Sequence, residues 1–178
     1  MKRAAFLHCA GTVATRYKVL LTRDQLPIDP SANETPGKQA RFTLEDAYMT
    51  RVALDLMGDA DTHPAISPSH AHHVVTNAHM HMRGQGYRHP LNTLGGLDLW
   101  IGVIVFGEIA QDGPHSFTGW FAGPLSEVSD GIAKECADWP NTTPARVILT
   151  NASRAARIVR QRAFDLGIPE GDDFGEIW

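Results

Sequence analysis

Glycine and proline cut this chain into short lengths, and that punctuation constrains the fold more than any other feature of the sequence. Gly11, Pro27, Gly58, the run RGQGYRHPLNTLGG over residues 83–96, and Gly167 followed by Pro169 each close a stretch of apolar periodicity. Glycine supplies the left-handed turn that ends a helix, and proline cannot continue one. No length between these breaks approaches the roughly 20 apolar residues of a membrane helix. The longest apolar run, Leu97 to Phe106, contains Asp98 and Gly102. The basic start MKRAAFLHCAG is too short and too broken to read as a secretory leader. Cys9 and Cys136 form no C-x-x-C pattern, which fits a reducing, cytoplasmic setting.

The lengths between the breaks have distinct periods. Arg3 to Cys9 and Val13 to Thr22 read as two short helices hinged at Gly11. PIDPSANETPGKQ, residues 27–39, is a turn or hairpin loop. In FTLEDAYMTRVALDLMG, Thr43 is an N-cap with Asp46 three residues on, a variant of the capping box, and Gly58 is the stop. Ser67 or Ser69 caps a further helix that runs to about Met82. Beyond the Gly/Pro run the pattern changes. LDLWIGVIVFGEIA and HSFTGWFAG read as strands, LSEVSDGIAKECADW as a helix and ARVILTN as a strand. The helix that follows has Asn151 as N-cap and Gly167 as stop. The expected fold class is α+β, with a helical domain over residues 1–85 and a small mixed α/β domain over 95–170.

The densest chemical signal is SHAHHVVTNAHMHM, residues 69–82, with five histidines. On a helix, Ala71, Val75, Ala78 and Met82 form one apolar stripe. His70 and His81 lie on one flank, with His73 further round; His72 and His79 lie on the other. At 1.5 Å per residue His70 and His81 are about 16 Å apart along the axis, and His72 and His79 about 10 Å. Zinc ligands must converge at about 2 Å from one centre. Only His70 and His73 could share an ion, and two ligands are too few. The segment reads as a helix carrying imidazoles, with no metal and no cofactor expected. A metal-dependent enzyme or metal sensor, completed by His63, His89 or His115, stands as an alternative. Asp98, Glu108, Asp112 and His115 have no fixed mutual relation, and no nucleophile motif is present, so the chain reads as a non-enzyme.

Charge is unevenly distributed. The chain carries a net −4 overall, yet residues 1–41 hold seven Lys/Arg against three Asp/Glu, a net of +4. The remainder holds nine against seventeen. A basic N-terminal segment joined to an acidic body reads as an electrostatic footprint for phosphates, with chance asymmetry as the alternative reading.

The order of elements over residues 3–82 resembles the MerR-type winged helix-turn-helix, including its phage and prophage regulator and excisionase variants. The resemblance is carried by AGTVATRYKVLLTRDQLPI, by ARFTLEDAYMTRVALDLM and by ISPSHAHHVV. It covers under half of the chain. It implies that the second helix enters the major groove of double-stranded DNA, with Thr15, Arg16 and Lys18 facing bases or phosphates and Arg23 near the backbone. Lys38, Gln39 and Arg41 would lie on or just after the wing. The sequence departs from the family at the wing tip, where Glu34 would repel phosphate, and in lacking the long dimerising helix. The resemblance implies a cytoplasmic transcription regulator, phage-like, acting as a homodimer without a membrane partner. A phage packaging or recombination factor resembling a small terminase subunit or excisionase is the alternative use of the same module.

Overall fold

A computed structural model describes residues 1–29, 41–58, 66–93, 95–110, 113–139 and 141–169. It is a mixed α+β structure of six helices and one three-stranded antiparallel sheet. Helix α1 spans Arg3–Ala10 and α2 spans Ala14–Thr22. Gly11 between them adopts φ 73°, and its N–H donates to Leu7 O at 3.0 Å. The left-handed backbone conformation favours glycine here, and an added Cβ would also displace the Arg162 guanidinium, 2.3 Å from it.

Helix α3, Leu44–Met57, starts as the sequence predicts. Thr43 Oγ1 accepts from the Asp46 N–H at 2.9 Å, and Asp46 Oδ2 accepts from the Thr43 N–H at 2.7 Å. Nine of its fourteen residues are buried, because α1, the next helix and the last helix all pack on it. Helix α4, Pro68–Gly84, is capped by Ser67, whose Oγ accepts from the His70 N–H at 3.3 Å. The expected stripe of Ala71, Val75, Ala78 and Met82 is fully buried. A short 3-10 turn, Pro90–Asn92, leads to the sheet.

Strand β1, Leu99–Ala110, lies between β2, Gly113–Pro124, and β3, Thr142–Asn151. Its side chains alternate. Leu99, Ile101 and Val103 join the helical core, while Ile104 and Phe106 face the other way onto Val128 of α5, Leu125–Asp138. Alternation at period two is what lets one strand serve two layers. Gly102 is required here: a Cβ would lie 2.2 Å from Ile148 O.

Helix α6, Ala152–Asp165, follows β3 without a loop. Asn151 caps it, accepting from the Arg154 N–H at 2.7 Å. Arg157 ties its first turns to Asp98 at 2.8 Å. Its inner face, Ala152, Ala155, Ala156, Val159 and Ala163, enters the same buried cluster as Phe6, Tyr48 and Val75. Side chains from both sides of the segment 85–95 therefore share one core. Among the described residues no helix is long and apolar enough to cross a membrane.

Candidate functional site

The orientation of α2 is set by aromatic packing. Phe6 of α1 lies edge-on to Tyr17 at 5.3 Å and stacks on Phe42 at 4.2 Å. Tyr17 and Leu20 are the buried residues of α2. With these two turned inward, a helical rotation of 100° per residue leaves Thr15, Val19 and Thr22 at the centre of the outer face. Lys18 lies on one flank and Arg16 and Arg23 on the other, and all six are exposed. Arg16 is near enough to the packed side for its Nη2 to approach Gly58 O at 3.4 Å. Arg3 lies over the Tyr17 ring at 5.2 Å from the centroid.

Thr15, Arg16, Lys18 and Arg23 thus belong to one exposed helix and its end, and Arg41 is exposed just before α3. Lys38 and Gln39 lie outside the described residues, as does most of the expected wing. Val19, half-exposed at the centre of the outer face, was not singled out by charge or motif. Only the inward turn of Tyr17 and Leu20 identifies it. The last turn of α1 is braced from the far end of the chain, since Arg162 Nη1 donates to His8 O at 3.3 Å and to Cys9 O at 3.4 Å. A cation at a helix C-terminus also complements its dipole.

The histidines divide into three groups. His73 and His81 are exposed, His70 and His72 are half-buried, and His79 is buried. His79 is more deeply set than a flank position implies, because α3 brings Tyr48 against it at 5.2 Å between ring centroids. Its Nδ1–H donates to Val75 O at 2.8 Å. His89, from the segment after α4, also packs on Tyr48 at 5.3 Å and lies 6.3 Å from His79. Its Nδ1 accepts from the Leu91 N–H at 3.1 Å, and its Nε2 faces Glu45 Oε1 at 3.6 Å.

These groups perturb one another. Burial pushes the His79 imidazole down to about 3, against the opposing effect of its bond to Val75 O. The hydrogen bond and charge from His89 hold Glu45 below the usual carboxylate range. Burial raises the Tyr48 phenol, whose oxygen has no hydrogen-bond partner among the described residues. The cluster joins α3, α4 and the segment after α4. Among the described residues, no three His, Cys, Asp or Glu side chains come together to hold an ion. Asp98, considered with the acidic residues of the sheet, accepts from Arg157 and from Asn151 Nδ2 at 2.6 Å. The side chains of Glu108, Asp112 and His115 lie outside the description.

No protein-family model matches this chain, and no characterised protein or solved structure matches it either.

Proposed function

We propose that this chain is a sequence-specific DNA-binding regulator of transcription, phage-like in its use of a winged helix-turn-helix, that acts as a homodimer. The observation that supports the reading is α2. It is a short helix set on α1 through a three-residue turn, anchored by Tyr17 and Leu20, with its outer face exposed and bordered by Arg16, Lys18 and Arg23. A helix presented in this way fits the major groove, where Arg16 and Thr15 can meet base edges and the apolar Val19 a thymine methyl. Lys18, Arg23, Lys38, Gln39 and Arg41 supply phosphate contacts in this reading, and two copies read two half-sites.

The test begins with selection of a binding site from random duplex DNA. Fluorescence anisotropy on the selected and a scrambled duplex, over several salt concentrations, then compares variants. Arg16→Ala narrows the ratio between the two duplexes, since a base-contacting arginine contributes about 1–3 kcal/mol of discrimination. Lys38→Ala weakens both alike and lowers the salt slope by about one unit. If Arg16→Ala binds both duplexes as the parent does, α2 is not the reading helix.

A further inference from the structure

The two edges of the sheet are built differently. Along β3, Pro144 lacks an N–H, and the register with β1 slips between Val105 and Phe106, so that Ala145 has no opposite residue. Proline and a bulge are devices that prevent further pairing at an edge. Strand β2 has no bulge, and its prolines lie only at its ends. Its register with β1 runs without a slip from Leu99–Pro124 to Ala110–Gly113. Pro114 and Pro124 stand at its ends, and residues 115–123 between them contain no proline and no Asp, Glu, Lys or Arg. Among the described residues, β1 is its one strand neighbour. This edge also carries an exposed aromatic ring on each face. Phe117 is 37% exposed and stacks on Phe106 at 5.0 Å, and Trp120 is 39% exposed and meets His81 of α4 at 5.5 Å. Met80, beside His81, is 61% exposed.

We propose that the outer edge of β2 is the homodimer interface, pairing antiparallel with β2 of a second copy to merge two three-stranded sheets into one of six strands. The lack of charge selects this occupant. A two-fold contact sets each residue near its own counterpart, so any charge near the axis would face its like, and like charges opposite one another destabilise strand pairs. An uncharged edge of nine residues, about 30 Å long, meets that condition without a compensating partner. The exposed aromatics on both faces add cross-strand packing and surface towards the roughly 800 Å² per partner of a stable interface. The proposal rests on the two-fold assembly in the functional reading above and is independent of its DNA.

The experiment measures mass by light scattering on the full chain at tens of micromolar, low salt and no DNA. The parent chain gives twice the single-chain mass of 19.5 kDa. Thr118 is exposed on β2, so Thr118→Lys and Thr118→Glu should fold, with circular dichroism and urea midpoints like the parent's. Each raises the dimer dissociation constant at least about tenfold by like-charge repulsion across the axis. An equimolar mixture of the two returns to the dimer mass. Ala145→Lys, on the blunted β3 edge, leaves the dimer intact. A monomeric parent, a dimer that survives Thr118→Lys and Thr118→Glu, a mixture that stays monomeric, or dissociation by Ala145→Lys alone each overturns the proposal. A dimer that behaves as expected yet binds no duplex leaves the interface standing and removes the DNA reading instead.

Discussion

Replacing His79 by leucine should remove a defined part of the protein's sensitivity to acid. His79 is 5% exposed, its Nδ1–H is committed to Val75 O, and burial holds it at about 3 against an ordinary value of 6.5. Between those limits the unfolded chain binds a proton at this ring and the folded chain does not. Stability from this residue is therefore complete above about pH 6.5 and is lost as pH falls towards 3. The slope is about 1.4 kcal/mol per pH unit, so two units below 6.5 cost about 3 kcal/mol. That is a large share of the ~5–15 kcal/mol of a typical domain. Glu45 is lowered as well, because its hydrogen bond to His89 favours the charged form, so its stability is also lost as pH falls through the acid range. Glu45 remains in the leucine variant, and its shift is held mainly by the hydrogen bond to His89, with only a smaller part from His79. The assay is urea unfolding at pH 7 and pH 4.5, with the slope against denaturant checked for constancy. The parent should lose about 3 kcal/mol more between the two pH values than His79→Leu does. If leucine disturbs the packing against Tyr48, His79→Gln gives the same comparison without a titrating ring. Equal losses in parent and variants would refute the reasoning, since they would place the His79 proton equilibrium at its ordinary value.

Two further expectations concern stability alone. Thr43→Ala removes one half of the reciprocal cap at the start of α3 and should lower unfolding free energy by about 1 kcal/mol, read as a shifted urea midpoint. Gly102→Ala forces a methyl group against the backbone of β3, where Ile148 O and Leu149 Cα are 2.2 and 2.9 Å from the new atom. It should cost at least about 1–3 kcal/mol, the usual range for overpacking, and a midpoint like the parent's would show that β1 and β3 are not so close.

Most of the local structure was legible because its causes are local. A side-chain oxygen at Thr43, Ser67 or Asn151 reaches an N–H three residues away, so a stretch of four residues contains the whole interaction. The same holds for Gly11, Gly58 and Gly167, each at a helix end with positive φ. The stripe on α4 follows from helical period and reached the core as expected. The depth of His79 was not legible, since a helix by itself assigns it to a flank. What buries it is Tyr48, 31 positions earlier, and His89, ten positions later. Charge patterning selected Arg16, Lys18 and Arg23 but had no means to rank them, because Tyr17 and Leu20 gain their inward direction from Phe6 and Phe42.

What the sequence determined by itself is the type and approximate place of each described element, with the caps at Thr43, Ser67 and Asn151 and the stops at Gly11, Gly58 and Gly167. Those depend on free energies that close within a turn or along one strand. What only the tertiary structure decided is which faces meet. The strand order β2-β1-β3, the return of α6 onto α1 and α3, and the shared core across residues 85–95 all join positions far apart in the chain. Any apolar face gains about the same free energy per unit area on any other, so periodicity marks that a face is buried without specifying its partner. The choice is made by shape and by the few polar groups that must be satisfied: Arg162 at the end of α1, Arg157 on Asp98, and Ser153 Oγ accepting from the Leu99 N–H at 3.0 Å.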